Sequence, residues 1–306
     1  LKAILANGFL PLERASRDWN QAHMTWEFER IMDRILNFRK VDTKMGIIRT
    51  VKSVVNRIFT KPDKSFTWLR NTEAVSEDNL TVDKGILYSA LPGPVRLNRI
   101  LDDQARELYK PAIDKLFELV PKTMAKKIPR ANVQQGFVFD TVYRLLGNYK
   151  LPRILCVGSY EDTASMALKK MGVEVEEIDP MVNYFLQEYC VRPGVKKASF
   201  DIIFSTSVIE HDPDDKSFME CIDELLAPGG TAILTCDYKD GWKPGDLKPD
   251  VDARFYTKAD LEQRLPSYLE NCELVDEPDW NCDDPDFNYL GKYQYTFASF
   301  VFRKKP

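Results

Sequence analysis

The sequence predicts an α/β protein in which a parallel sheet carries helices on both faces and follows a mostly helical N-terminal region. In the second half, short apolar runs such as "RILCVG" (153–158) and "FDIIFSTS" (200–207) alternate with amphipathic stretches of helical period. Apolar strands that alternate with helices are joined by crossovers and form a parallel sheet. The last run, "YQYTFASFVFRK" (293–304), alternates in polarity and has no helix after it, which predicts an antiparallel strand that closes the sheet.

The predicted elements of the second half follow one another in a regular order. An amphipathic helix starts at 133, and Pro152 then introduces the first strand. The turn "APGG" (227–230) separates a later helix from the strand "TAILTCDY". The expected order is helix 133–149, strand 153–158, helix 162–171, strand 173–178, helix 181–190, strand 200–207, helix 215–226, strand 231–238, helix 258–265, strand 272–277 and strand 293–304.

The first half of the chain predicts helices. The stretches 19–40 and 45–59 both have apolar residues at helical spacing, and another long helix is expected over 96–120, with a kink at Pro111. We expect residues 97–130 to cover one edge of the sheet as a lid. The basic face of 45–59 is typical of a helix packed on a domain, and peripheral membrane contact is the alternative.

These changes of rhythm divide the chain into three predicted parts. Residues 1–44 are interpreted as a helical tail or linker, residues 45–130 as a helical N-terminal region, and residues 131–306 as the α/β domain. Because the sequence begins at Leu1 and not at a methionine, we expect it to be part of a longer multidomain chain.

The composition is that of a globular protein and disfavours several classes of function. The chain has 43 Lys and Arg against 47 Asp and Glu, a net charge of −4 that argues against general nucleic-acid binding. No apolar run approaches the ~18 residues needed to span a bilayer. Six cysteines without a CxxC pair favour a reducing, cytoplasmic location.

The ends of the first two predicted strands carry residues typical of a ligand site. Gly158 ends the first strand and Asp179 ends the second, 21 residues later. A separation of about 20 residues is expected between a first-turn glycine and an acid that holds a ribose. A carboxylate suits this role because it can accept both hydroxyl hydrogens of a cis-diol. A tight turn and a solvated aspartate are the purely structural alternative.

The third strand and its surroundings indicate a family. The segment "FDIIFSTSVIEHDPDDKSFMECIDELLAPGGTAILTCDY" (200–238) resembles class I S-adenosylmethionine-dependent methyltransferases, which have a strand, then V-(I/L)-E-H, a helix and L-x-P-G-G. With "ILCVGS…EIDP" before it and "FYTKADLEQRL" after it, the resemblance covers residues 133–306. It implies a Rossmann-like, seven-stranded mixed sheet, methyl transfer, and S-adenosylmethionine as cofactor. It disfavours the other nucleotide-binding class considered, an NAD-dependent oxidoreductase.

The resemblance also implies which residues contact the cofactor. Gly158, Ser159 and Tyr160 are similar to the loop that wraps the methionine part. Asp179 matches the acid that holds the ribose, and Met181 lies next to the expected adenine plane.

The chain departs from the family pattern in this loop. Tyr160 and Asp162 stand where the second and third glycines are usual, and Cys156 replaces the acid two positions before the first glycine. Glu161 and Asp162 are therefore expected to supply acceptors for the cofactor's ammonium group. The third strand of the usual order is also difficult to place between "EYCVRPG" and "KKASFD".

The ends of the next two strands carry the candidates for catalysis. Ser205 and Thr206 match the position whose backbone contacts the methionine amino group, and Glu210 and His211 follow at the mouth of the site. His211 is the best base by its chemistry, because an unperturbed imidazole has a pKa of ~6.5. Its alternative role is packing, and Asp237 at the end of "TAILTCDY" is the second candidate base.

The acids of "DPDD" (212–215) would suit Mg²⁺, which prefers oxygen ligands. More often such acids cap a helix N-terminus and complement its dipole. We therefore expect a cap here and no metal site.

The methyl acceptor is predicted from the acidic segment 246–290, which also contains Trp280, Phe287 and Tyr289. Aromatic rings stack on sugar C–H faces and acids bind hydroxyls, so a saccharide or another small polar acceptor is expected. A plain surface loop would have the same composition. The alternative function is a non-catalytic binding or scaffold module whose degenerate loop no longer holds the cofactor.

Overall fold

The computed structural model describes residues 81–306, so the helices predicted over 19–40 and 45–59 lie outside the described residues. No helix of this described part is long and apolar enough to cross a membrane. Its strands are β1 (Ile154–Val157), β2 (Glu176–Ile178), β3 (Phe200–Thr206), β4 (Leu226–Tyr238), β5 (Cys272–Leu274), β6 (Phe287–Tyr289) and β7 (Tyr293–Lys304). Its α-helices are α1 (Asp103–Leu119), α2 (Pro121–Met124), α3 (Val133–Leu146), α4 (Thr163–Lys170), α5 (Leu186–Val191) and α6 (Asp215–Leu225).

The strands form the predicted mixed seven-stranded sheet, in the order β2-β1-β3-β4-β7-β5 with β6 paired to β7. Strands β1 to β4 are parallel, and β7 runs antiparallel to β4 as its alternating sequence predicts. The third strand of the usual order is absent from residues 81–306, and β2 is the edge on that side. The seventh strand is instead β6, a short hairpin partner of β7.

The two faces of the sheet have separate hydrophobic cores. Successive side chains of a strand point to opposite faces. Ile154 and Cys156 of β1 therefore pack with α1, α3 and α4, whereas Leu155 and Val157 pack with α5 and α6. Helices thus cover both faces, as the alternation of strands and helices predicts.

Helix α1 belongs to the same core as the elements that follow it. Asp102 caps the helix by accepting a 2.8 Å hydrogen bond from Ala105 N–H, and Pro111 lies within the helix. The ring of Tyr109 packs edge-on against that of Phe137 in α3, with centroids 5.4 Å apart. The domain boundaries at 44 and 130 stay predictions, and the second falls inside a core that both sides share.

The segment just before α1 lies along the outer edge of β7. The Asn98 side chain donates to Val301 O at 2.9 Å and accepts from Val301 N–H at 2.7 Å, while Leu101 N–H donates to Phe297 O. The sequence predicted this segment as the start of a helical lid, and that interpretation is wrong for residues 97–101. Together with β5 and β6, the segment pairs an edge that would otherwise be open.

Two element boundaries differ from the predicted ones for local reasons. The Asn183 side chain accepts from Asp179 N–H at 3.0 Å, so residues 181–185 form a turn and α5 begins at Leu186. Strand β4 includes the predicted "APGG" turn as an irregular stretch beside Phe200. A Cβ at Gly230 would lie 2.7 Å from Phe200 O, so only glycine fits there.

Candidate functional site

The loops that follow the parallel strands meet at one edge of the sheet. Gly158 follows β1, Asp179 follows β2, Ser207 follows β3, and Asp237 lies near the end of β4. In an open α/β sheet, ligands bind outside the carboxyl ends of the strands. Residues that the sequence predicted for the cofactor and for the base are therefore gathered at the edge where such a ligand would bind.

Gly158 is required by the backbone of the first loop. Its φ is +82°, and a Cβ would lie 2.3 Å from Cγ2 of Val208. Its N–H donates to Ile178 O at 2.8 Å, and Ser159 N–H donates to the same oxygen at 3.1 Å. The glycine thus lets the loop turn tightly between the end of β2 and the segment after β3.

Asp179 ties the loops after β1 and β2 together. Its carboxylate accepts from Tyr160 N–H at 3.1 Å and from Met181 N–H at 2.6 Å. Burial raises the pKa of Asp179, and these two backbone donors oppose the shift. The aspartate is 8% exposed, which excludes the predicted structural alternative of a solvated strand-end acid.

The two acids that are expected to accept from the cofactor's ammonium group, Glu161 and Asp162, already have partners. Glu161 adopts a left-handed backbone, with φ at 56°, and its carboxylate lies 2.6 Å from Lys126 Nζ. Asp162 caps α4 by accepting from Ser165 N–H at 2.7 Å, and burial raises the pKa of its carboxyl. The expected left-handed turn therefore forms without the extra glycines, at Glu161.

Two buried hydroxyls at this edge lack a partner. Ser159 is 6% exposed and Ser205 is 1% exposed, and their Oγ atoms have no hydrogen-bond partner among the described residues. Burying an unpaired hydroxyl is costly, so such groups usually meet a ligand or water. Together with Gly158 and Asp179, they fit a polar ligand that brings both donors and acceptors.

A cluster of acids follows β3 and β4. Glu210 is fully buried, and Asp252 and Asp237 are 4% and 6% exposed. The Ser207 hydroxyl donates to Glu210 Oε1 at 2.6 Å. Asp237 lies within hydrogen-bonding reach of the Glu210 carboxyl and the Tyr295 hydroxyl. We call Glu210, Asp237 and Asp252 the acid cluster.

Burial and mutual repulsion raise the pKa values within the acid cluster. Burial, followed by the charges of Glu210 and Asp252, raises the pKa of Asp237 well above its usual range. Burial also raises the pKa of Glu210, although the charge of His211 opposes this. Two carboxyls so close together hold one proton between them more readily than none.

The pKa of His211 is also raised, but for a histidine this favours the charged form. Burial acts to lower its pKa, but the hydrogen bond with Asp252 and the charges of Glu210 and Asp252 outweigh it and raise the pKa to about 9. The imidazole is then protonated at neutral pH and cannot accept a proton. Its role as the base stays a prediction, as does that of Asp237.

Asp252 and Tyr295 were missed by the sequence reasoning. Asp252 lies in a polar loop and Tyr295 is one of several aromatic residues of an alternating strand, so nothing local marks them. Only tertiary contacts bring them to the site: Ala253 N–H donates to Glu210 O at 2.7 Å, and Tyr256 N–H donates to Asp237 O at 2.9 Å.

The "DPDD" segment acts as the predicted cap. Asp214 accepts from Ser217 N–H at 3.2 Å at the start of α6. Asp215 pairs with Arg254 and Arg264 at 2.9 and 2.8 Å. Residues 81–306 contain no group of three or more His, Cys, Asp or Glu arranged to hold a metal ion.

Comparisons with known proteins agree with this arrangement. Residues 155–234 match a family model described as a methyltransferase domain. No curated protein matches the chain significantly in sequence. The matched segment contains the strand ends that carry Gly158, Asp179 and Glu210.

Several solved structures are similar at low identity. The 1,6-didemethyltoxoflavin N1-methyltransferase of Burkholderia thailandensis, bound to its substrate and S-adenosylhomocysteine, is 15% identical, with a TM-score of 0.41, over 71% of this chain and 95% of that one. A phosphoethanolamine N-methyltransferase of Haemonchus contortus is 15% identical, with a TM-score of 0.38, over 55% and 52%. This chain thus spans about half of that enzyme.

A third similar structure is an S-adenosylmethionine-dependent methyltransferase of Archaeoglobus fulgidus, 14% identical, with a TM-score of 0.37, over 56% of this chain and 94% of that one. Similarities this weak extend no substrate to the present protein. The family match and the mixed seven-stranded sheet are observations independent of them. The chain therefore carries a methyltransferase domain, which the family model matches over residues 155–234, as its sequence predicts.

Proposed function

We propose that the protein transfers a methyl group from S-adenosylmethionine to a hydroxyl of a small polar acceptor. The observation that carries this proposal is the site formed by Gly158 and Asp179, with the unpartnered hydroxyls of Ser159 and Ser205 beside them. The cofactor supplies an electrophilic methyl group on a sulfonium. The chain's task is then to hold cofactor and acceptor in line and to take the acceptor's proton.

The cofactor would be held by residues at the ends of β1 and β2. The loop of Gly158, Ser159 and Tyr160 would wrap the methionine part, and Asp179 would bind the ribose hydroxyls. The Met181 side chain is 46% exposed beside Asp179, which suits an apolar contact with an adenine face.

The ammonium group of the cofactor would lie between the loop after β1 and the end of β3. Ser205 and Thr206 end β3 and would contact it through their backbone, with Glu161 as a carboxylate acceptor. Because Glu161 already pairs with Lys126, binding through Glu161 requires that carboxylate to be shared.

Two of the aromatic rings that were predicted to stack on a saccharide are buried. Trp280 is 1% exposed and donates from its indole N–H to Ser299 O at 2.9 Å, and Phe287 is 3% exposed. Neither ring can stack on a ligand from these positions. Support for a polyhydroxylated acceptor comes instead from buried carboxylates near the end of β4, among them Asp237.

The scaffold alternative rests on the loss of two glycines, and two features weaken it. The loop reaches its left-handed turn at Glu161 without glycine, and Asp179 still receives two backbone donors. A scaffold would have no use for unpartnered buried hydroxyls at Ser159 and Ser205.

Titration calorimetry of the intact protein with S-adenosylmethionine and with S-adenosylhomocysteine tests the proposal. We expect both to bind at one site per chain, and both to bind more weakly to Asp179→Ala. A folded protein that bound neither compound would overturn the proposal in favour of the scaffold.

A further inference from the structure

We propose that the acid cluster is the acceptor site and that it takes two hydroxyl groups of an uncharged polyol, of which a pyranoside is the simplest example. This inference rests on the proposed function and names the acceptor class for the same site. It assigns Glu210 and Asp252 to acceptor binding and the Glu210–Asp237 pair to the acceptor's proton.

Two buried carboxylate oxygens of the acid cluster receive no hydrogen-bond donor among the described residues. Glu210 Oε1 receives the Ser207 hydroxyl and Asp252 Oδ1 lies 3.0 Å from His211 Nδ1. The second oxygens, Glu210 Oε2 and Asp252 Oδ2, receive no N–H or Ser, Thr or Tyr hydroxyl of the described residues, although both side chains are more than nine-tenths buried. An acceptor oxygen left unpaired in the interior is unfavourable, so these two atoms call for a ligand that donates two hydrogen bonds.

The charges near the acid cluster decide between a cationic and an uncharged ligand. His211 is positively charged at neutral pH and balances Asp252. The Lys248 ammonium donates to the backbone oxygen of Asp252 and brings a second positive charge. Because Glu210 and Asp237 share a proton, they carry about one negative charge between them. The site is thus close to neutral and needs donors without added positive charge, which hydroxyl groups provide.

The same pair can take the proton that methyl transfer releases. As the acceptor oxygen forms its bond to the methyl carbon, the carbon–sulfur bond breaks and its electron pair stays on sulfur. The hydroxyl proton passes to the carboxylate of the Glu210–Asp237 pair, which becomes fully protonated and later loses that proton to water. Burial raises the pKa of Glu210 as well as that of Asp237, so the charged member of the pair takes up a proton more readily than an exposed carboxylate would.

The backbone around the acid cluster is fixed in a way that serves such a site. Ser207 adopts a left-handed φ of 57°, and its N–H donates to Thr235 Oγ1 at 3.0 Å. A non-glycine residue in this conformation is strained, and such strain concentrates at functional sites. The turn aims the Ser207 hydroxyl at Glu210 and thereby leaves Glu210 Oε2 for a ligand.

The test uses Glu210→Gln, with Asp223→Asn as the matched control. Asp223 is also buried, 7% exposed, but it lies away from the site, where it accepts from Glu270 N–H at 3.1 Å. Saturation-transfer NMR on protein saturated with S-adenosylhomocysteine would measure binding of a panel of methyl pyranosides. We expect at least one to bind, Glu210→Gln to weaken it about tenfold or more, and Asp223→Asn to leave it unchanged.

Thermal unfolding of the same variants separates a binding role from a structural one. If Glu210 is kept for a ligand, Gln removes an unpaired buried carboxylate oxygen and should raise the Tm by about 2–4 °C. A lowered Tm with unchanged pyranoside binding would make Glu210 structural and overturn the proposal. Tighter binding of ethanolamine than of every pyranoside, or no pyranoside binding, would also overturn it. Failure of S-adenosylhomocysteine to bind would instead contradict the proposed function.

Discussion

Oδ1 of Asp252 lies 3.0 Å from Nδ1 of His211, which joins the loop after β4 to the turn after β3. This contact, together with the charge of Glu210, raises the pKa of His211 to about 9, although 40% of the side chain is exposed. A histidine that the sequence favours as a base is therefore a cation in the folded protein. In this form it compensates the charge of the acids around it, and its role as the base stays a prediction.

The first prediction concerns the pH dependence of stability. The pKa of His211 rises on folding from about 6.5 to about 9. The contribution of His211 to stability is therefore fully present below about pH 6.5 and is lost as the pH rises through about 9. We expect His211→Gln to lower the Tm most at about pH 6, and the difference from wild type to shrink by about pH 9.5. Scanning fluorimetry measures this difference in Tm. The control is His23→Gln, which changes the only other histidine of the sequence. Parallel Tm curves for wild type and His211→Gln would contradict the assignment.

The second prediction assigns the base. Asp237→Asn removes one carboxyl of the Glu210–Asp237 pair that takes the acceptor's proton while keeping its shape, so turnover should fall by roughly 10²–10⁴-fold. Affinity for S-adenosylhomocysteine should change little, because the base acts on the acceptor. Rates of S-adenosylhomocysteine production measure it. A turnover loss confined to His211→Gln would return the role of base to the histidine.

The third prediction concerns Asp179. Its carboxylate receives Tyr160 N–H and Met181 N–H, and in the proposed complex it also binds the ribose. Asp179→Ala should weaken cofactor binding by about 1–3 kcal/mol, since the hydroxyl partners are left unpaired. Calorimetry with S-adenosylhomocysteine measures the loss. Asp201→Asn, at the opposite end of β3, is the control, and equal affinity in a folded Asp179→Ala would remove Asp179 from the site.

Sequence reasoning predicted the parts of the fold and site that depend on local pattern. The strand ends at Gly158 and Asp179 could be found because spacing along the chain fixes their place on a parallel sheet. The pairing of residues 97–101 with β7 could not, because Asn98 completes it through side-chain hydrogen bonds to a strand some 200 positions away. Asp252 was missed for the same reason.

Residue chemistry alone does not give the tertiary environment of a side chain. The imidazole of His211 was favoured as a base from its unperturbed pKa, which tertiary neighbours reverse. Trp280 was interpreted as a ligand platform because its segment is acidic, but its ring packs 6.0 Å from Phe300 in the core. Neither environment leaves a trace in the neighbouring sequence.

The fourth prediction tests the tight turn after β1. Gly158→Ala places a methyl group 2.3 Å from Val208 Cγ2 at a φ of +82°. Left-handed backbone and steric conflict together should cost about 2–4 kcal/mol of unfolding free energy. Gly194→Ala is the control, because Gly194 has a φ of +92° but no atom within 4 Å of the added methyl. Denaturant unfolding measures both. Adding Val208→Ala should recover part of the loss at Gly158, and equal costs at the two glycines would show that the contact with Val208 is unimportant.

The last prediction concerns the part of the predicted lid that reaches the cofactor loop. Lys126 Nζ lies 2.6 Å from Glu161 Oε1, and the two side chains are only 27% and 16% exposed. Glu161 holds a left-handed backbone that tertiary contacts must maintain. Lys126→Met should therefore loosen the loop and weaken S-adenosylhomocysteine binding by about three- to tenfold, whereas Lys122→Met, at an exposed lysine of α2, should have no effect.

Deleting the predicted lid, residues 97–130, would not test this contact. The deletion would also remove α1, which shares a hydrophobic core with α3. Glu161→Gln should weaken binding to a similar degree, and the double variant should be no worse than either single one, because both changes remove one interaction. Calorimetry on the three variants measures this coupling. Tighter binding in Lys126→Met would contradict it and would mean that the lysine competes with the cofactor's ammonium group for Glu161.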